Sequence, residues 1–221
     1  MLNDELKILK ERALSCKLKG TFLLSTAQMS DYWIDINEFG TPEVITSLIN
    51  VSTTFLKGIY KKYGNFSLVI PKYNNSSEKS FPIDYILECA IEKTKLKDHI
   101  HKVYIYQVNE NHVFKVDGDV INFCVVAMAV SIHIVTLLDI IKTLTQEKYK
   151  VKFVYTFLCR ELFSVKKLKE QNIPIIPLLI TELSEDNIYA INDFFSSSAD
   201  DKFSNLNLKS YINFFKEDHY A

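Results

Sequence analysis

Residues 123–135, FCVVAMAVSIHIV, occupy the point in this chain where a phosphate would be held. The run is followed by TLLDIIKTL at 136–144, apolar at helical spacing, and by a second apolar run, VKFVYTFL, at 151–158. Buried strand, turn, helix and strand in that order let α/β enzymes seat an anion at a helix N-terminus, where backbone N–H groups lack partners and the helix dipole favours negative charge. Such a turn needs glycines or small hydroxyl residues, so that the backbone can approach the ligand. Here it offers Ser131, Ile132, His133 and Ile134, with no glycine and no acidic pair. The frame is that of a nucleotide enzyme, and the contents lack its chemistry.

Other constellations are weaker. Asp98, His99 and His101 sit in the sequence DHIH, which in a strand sets both imidazoles on one side, as a metal would require. The same spacing fits a solvated connection between helix and strand, and no metal site is assigned. Asp31, Asp35 and Glu38 are close enough in sequence to pair as acid and base, and Cys159 stands beside Arg160 and Glu161. None of these forms a catalytic serine or cysteine motif. Cys16, Cys89, Cys124 and Cys159 lack metal-ligand spacing, and the last three lie in apolar patterns, which reads as small buried hydrophobes in a reducing cytoplasmic setting.

The bulk composition narrows the classes. The chain has 221 residues, 48% of them hydrophobic, enough for a substantial core and too apolar for disorder. Net charge is −1, from 26 basic and 27 acidic residues, so nothing calls for nucleic acid or an anionic membrane. The lysine groups Lys142, Lys148, Lys150, Lys152 and Lys166, Lys167, Lys169 read as solvated faces. The N-terminal MLNDELKILKER is amphipathic and charged rather than a signal segment, and no uncharged run is long enough to span a bilayer. Five glycines are few for an enzyme built on several glycine-rich phosphate loops.

The elements that would position these residues follow from periodicity. Residues 2–18 predict a helix stopped by Gly20, and 21–25 and 32–36 predict short strands. Thr41 and Pro42 open a helix that runs to about Lys62, with Gly64 as its C-cap. Strands are expected at 66–70, 103–108, 123–130, 151–158 and 174–180, and helices at 83–95 and 161–171. Asp117-Gly118 is the tightest turn signal of a loop or β-hairpin at 109–120, and Pro174 and Pro177 predict that the last strand is an edge. Strands alternating with helices imply a mostly parallel central sheet flanked by helices on both faces. An α/β domain over 1–183 is expected, then a C-terminal extension over 184–221 whose aromatic residues, Phe194 to Phe215, dock on the domain or on a partner.

FLLSTAQMSDYWID at 22–35 resembles the N-terminal signature of orotate phosphoribosyltransferases, FTLKSGRKSPYYID. Phe22, Leu24, Ser30, Tyr32, Ile34 and Asp35 match, with the spacing kept. FCVVAMAVSIHIV falls where that family has VLVVDDVITTGGS, the phosphoribosyl pyrophosphate loop, and KEQNIPIIPLLITEL resembles its closing helix and strand. The likeness covers residues 5–183 in order and implies a type I phosphoribosyltransferase fold.

The departures from the family pattern bear on activity. By the resemblance, the ribose-binding aspartates become Ala127 and Met128, the first loop threonine Ser131, the second Ile132, and the glycines His133 and Ile134. The substrate-facing lysine becomes Ser25, and its neighbouring glycine Ala27. The pyrophosphate turn is replaced by PKYNNSSEKSFP, which has no glycine and carries Lys72 and Lys79. Of the mobile catalytic loop, His112 and Lys115 are the residual candidates. With all of these ligand-holding groups replaced together, the expectation is a catalytically inactive protein acting as a binding, scaffold or regulatory module. The alternative is an active or residually active orotate phosphoribosyltransferase, or a nucleotide-sensing regulator. No cofactor is expected, magnesium entering only with residual phosphoribosyl pyrophosphate binding. A homodimer or a heteromer with another protein is expected, and nucleic acid and membrane are not.

Overall fold

The computed structural model describes residues 2–23, 29–72, 81–107, 114–131, 134–159, 168, 170–181, 187–194 and 214. Helix α1 (Leu2–Ser15) buries Leu6, Leu9 and Ala13, one stripe at helical spacing. Strands β1 (Lys17–Leu23) and β2 (Met29–Ile34) then pair antiparallel. The expected stop at Gly20 is corrected: the helix ends at Ser15, and Gly20 lies inside β1, where the register shifts between Lys19 and Phe22. Lys17, Leu18 and Lys19 alternate with period two and pair with Ile34, Trp33 and Tyr32, so the strand pattern begins earlier than the glycine suggested.

A short turn of helix, α2 (Ile36–Phe39), leads to α3 (Pro42–Tyr63), whose ends are as expected. Thr41 caps it, its hydroxyl accepting from the Val44 N–H at 3.4 Å, and Gly64 closes it at φ 74°. Strand β3 (Phe66–Lys72), helix α4 (Ile83–Thr94), strands β4 (Ile100–Gln107), β5 (Phe114–Asp117) and β6 (Cys124–Ser131), helix α5 (Ile134–Gln146) and strands β7 (Val151–Cys159), β8 (Ile175–Thr181) and β9 (Ile188–Ala190) follow. The helix expected at 161–171 falls mostly outside the described residues.

The main sheet has the order β5-β4-β3-β6-β7-β8-β9. The inner five strands are parallel, and β5 and β9 pair antiparallel at the two edges. Two expectations change here. Asp117-Gly118 ends β5 instead of forming the hairpin turn, because β5 itself pairs with β4 through Asp117. The strand expected at the edge is not the edge: β9 pairs with Leu179, Ile180 and Thr181 of β8, which holds Pro177 while Pro174 precedes it. Pro177 lies outside that paired stretch, so its missing N–H costs the outer side no bond.

Side chains alternate between two cores. From β3, β6 and β7, residues Leu68, Ile70, Val125, Ala127, Phe153 and Tyr155 join the cluster under α1, α3 and α4. Val69, Cys124, Val126, Met128 and Val154 join the cluster under α5. The doubly covered sheet explains why its strands are nearly continuous apolar runs.

Candidate functional site

Numbered among themselves, the five parallel strands run in the order 2-1-3-4-5, so the winding reverses between β3 and β6. Ligands of open α/β sheets bind outside the carboxyl ends of the strands at such a reversal. Here the two strands also part company. They pair only at Ser67–Cys124, Leu68–Val125 and Val69–Val126. Beyond that point β3 stays on β4 as far as Lys72, and β6 stays on β7 as far as Ser131. The fork opens at Ile70 and Ala127. Pro71, which has no N–H to donate, follows immediately on the β3 side.

The positions singled out from sequence lie on or beside this fork. Ala127 and Met128 are 0% and 5% exposed, and they point to opposite sides of the sheet, one into each core. Consecutive strand residues must do so. Two such positions can grip one ligand only where the strand ends, and β6 continues past them to Ser131, which pairs with Cys159. Ile134 is the first residue of α5. Ile132 and His133 lie between these ends, outside the described residues, as do Ser25 and His112.

Lys115 is not brought to the β6 turn. It is exposed on β5, opposite Tyr106, with β4 and β3 between it and β6, about 14 Å across the sheet at ordinary strand spacing. Lys72, at the end of β3, turns the other way. Its Nζ lies 4.2 Å above the Tyr104 ring and 3.7 Å from Asp84 Oδ2. The Tyr104 hydroxyl donates to Glu88, and Lys102 Nζ is 3.7 Å from the same carboxylate. Burial first, then Glu88, hold the Tyr104 phenol above its ordinary range.

Residues 29–35 of the signature segment are tied into the fold by their own contacts. Tyr32, 2% exposed, shares a hydrogen bond with the Thr181 hydroxyl at the end of β8, and Lys17 Nζ sits 4.0 Å over its ring. The Ser30 hydroxyl donates to the Tyr32 carbonyl at 2.8 Å. The Asp35 N–H donates to the Cys16 carbonyl at 3.1 Å, which anchors the end of β2 to α1. Asp31 and Glu38 are exposed.

Among the described residues no three His, Cys, Asp or Glu side chains come together as metal ligands. His99 Nδ1 instead bonds Asn65 Oδ1 at 3.1 Å, and its ring lies 4.9 Å from that of Tyr60. His101 is exposed on β4. Reading the sequence did not find the fork. Its one local signal is Pro71 inside an otherwise continuous apolar strand.

A doubly wound α/β protein with its candidate site at the β3/β6 reversal is the class that fold and site define. Solved structures narrow it further. Orotate phosphoribosyltransferase from Aeropyrum pernix matches with a TM-score of 0.55 at 20% identity, over 80% of this chain and 93% of that one. The Mycobacterium tuberculosis orotate phosphoribosyltransferase in complex with inorganic phosphate matches at 0.52 and 12% identity, over 82% and 96%. Adenine phosphoribosyltransferase from Saccharomyces cerevisiae matches at 0.51 and 9%, over 76% and 97%. By sequence, no protein-family model and no curated protein matches. The chain has the type I phosphoribosyltransferase fold.

Proposed function

We propose that this chain is a catalytically inactive orotate phosphoribosyltransferase-like protein, kept as a binding, scaffold or regulatory module. One observation carries the reading: at the positions of the ribose-binding carboxylates, Ala127 and Met128 are buried on opposite faces of a strand that continues beyond them. Transfer of a phosphoribosyl group depends on charged and hydrogen-bonding groups fixed around the ribose and the leaving pyrophosphate. Apolar side chains packed into two cores supply none. Ile132, His133 and Ile134 at the aligned loop positions, and Ser25 at the lysine position, point the same way in sequence. The proposed setting is the cytoplasm; no helix among the described residues is long and apolar enough to cross a membrane. The proposed assembly is a homodimer or a heteromer with another protein, and no cofactor is required.

An active orotate phosphoribosyltransferase, or a nucleotide sensor, is the second reading. It is favoured by the fold shared with those enzymes and by the fork at the winding reversal. Steady-state turnover of orotate and phosphoribosyl pyrophosphate, with calorimetry of the latter in magnesium, separates the readings. The inactive module shows neither turnover nor micromolar affinity. Turnover of about 1 per second or faster establishes the enzyme. Micromolar affinity without turnover establishes the sensor.

A further inference from the structure

Lys152 does not sit where a regular strand would put it. Cys124 of β6 pairs with Val151 of β7, but Val125 pairs with Phe153, so Lys152 is an extra residue in β7, a bulge. Neighbours in a regular strand point to opposite faces. Here Phe153 belongs to the core under α3, and Lys152 turns to the same side. Its Nζ lies 3.4 Å over the ring of Tyr63, the last residue of α3, and 4.6 Å from that of Phe123. Lys152 thus departs from the solvated face expected of its lysine group.

A second ammonium shares this platform. Lys62 Nζ lies 5.3 Å from the rings of both Tyr63 and Phe214. The distances to the Tyr63 ring centre keep the two ammoniums no more than about 9 Å apart, inside the screening length of about 10 Å at about 0.1 M salt. Lys150, exposed two residues earlier, adds a third positive charge. Among the described residues no carboxylate is within ion-pair distance of any of the three. Burial first, then the charges of Lys150 and Lys62, hold the Lys152 ammonium below its ordinary pKa. One ammonium on Tyr63 is ordinary cation–π packing. A second on the same ring, with a third charge beside it, adds repulsion that only an anion relieves.

We propose that Lys62, Lys150 and Lys152 form a binding site for a polyvalent phosphate-type oxyanion, built by the β7 bulge at the end of α3. Lysines are point charges on flexible stems and suit phosphate oxygens without fixing their orientation. A monovalent anion neutralises one ammonium, whereas a phosphate group has oxygens enough to accept from all three. The site lies at the amino ends of β6 and β7, opposite the β3/β6 fork, and is independent of the catalytic question.

The test titrates inorganic pyrophosphate into the full chain by calorimetry. The same titration is run on Lys62→Gln, on Lys152→Gln and on Lys142→Gln, which removes an exposed lysine of α5 on the other side of the sheet. Wild type and Lys142→Gln should bind alike, within about twofold, and the other two variants at least about tenfold more weakly. Acetylation of the lysines, read by mass spectrometry, locates the ligand. Saturating pyrophosphate should slow the reaction at Lys62 and Lys152 at least about threefold and leave Lys142 unchanged. A nucleoside diphosphate presents the same oxyanion. Binding no tighter than that of pyrophosphate supports the free anion as the ligand, and tighter binding supports a nucleotide. No binding at millimolar pyrophosphate, equal affinity for all four proteins, or no protection of Lys62 and Lys152 overturns the proposal.

Discussion

Tyr155 and Ser52 show how little polarity the core under α3 tolerates. Both are fully buried, Tyr155 stacked on Phe55 at 4.1 Å, with the two hydroxyls 3.0 Å apart. Burial keeps the phenol above its ordinary range. The two truncations should differ. Ser52→Ala strands a buried phenol and should cost about 1–3 kcal/mol. In Tyr155→Phe the remaining serine can turn to the carbonyl one helical turn back, and the loss should be about 1 kcal/mol or less. Urea unfolding of the two variants gives the order directly. A harsher case is Ala127→Asp, which puts a carboxylate where the resembled phosphoribosyltransferases carry one. With β6 continuous, the carboxyl enters an apolar cluster, at a cost on the order of 3–5 kcal/mol for an uncompensated buried charge. Desolvation raises its folded pKa above the unfolded value, so the variant should be less destabilised at pH 4 than at pH 7. Equal stability loss at both, by denaturant midpoint, would show that water reaches the position.

The cysteines give a second check at this scale. Cys16, Cys124 and Cys159 are 5%, 0% and 1% exposed, and Cys89 is only half-buried. A thiol reagent at neutral pH should therefore label Cys89 quickly and the others only on unfolding. Burial pushes the Cys124 thiol up to about 12. The folded thiol stays protonated while the unfolded chain ionises near pH 8.5. The unfolded state then binds fewer protons, so this contribution to stability is whole below about pH 8.5 and declines as pH rises toward 12. Cys124→Ala should flatten that decline in denaturant midpoints measured across the alkaline range.

At the scale of elements, α3 is the firmest test of local chemistry. Thr41→Ala removes the bond to the Val44 N–H and should lower stability by about 1 kcal/mol, measured by thermal or urea unfolding. This helix was legible because its signals are local: Thr41-Pro42 at one end, Gly64 at the other and one apolar face between. The inner strands were legible for a similar reason, being β-branched runs of seven to nine residues. What failed to show was set by distant partners. Strand β9 has three residues, too few for a period, and exists because β8 offers it an edge. The β3/β6 fork depends on which strand inserts beside β3, and Pro71 is a weak local hint of it. The strand expected at 123–130 already held positions 127 and 128 in its interior, and the pairing of β6 with β7 carries it on to Ser131. Gly58 did carry a signal, since a glycine amid an apolar helical stripe asks for a close neighbour. Its neighbour lies 156 residues away, from Gly58 to Phe214.

For the whole molecule, the sheet ties the two ends of the chain together. Strand β9 and the turn after it extend the same sheet beyond residue 183, and Ile188, Ala190, Ile191 and Phe214 belong to the core under α1. Lys10 Nζ donates to Asp193 Oδ2 at 2.7 Å, and Asn192 Nδ2 donates to Asn3 Oδ1 at 3.1 Å. The Lys10–Asp193 pair spans 183 residues of sequence. The proposed self-association belongs to this scale too. Light scattering at micromolar concentration should give twice the mass of the chain, and a monomer that captures no defined partner would count against the scaffold reading. The pairing of α1 with the last strands also sets an order in time. A ribosome adding about 5–20 residues per second needs roughly 10–40 s to go from Lys10 to Asp193. Throughout that interval the first helix made has no final partner for the part of its surface that β9 will cover. Completion of this fold must therefore wait until β9 and Asp193 have been made, and any factor that shields nascent apolar surface has its longest task at α1.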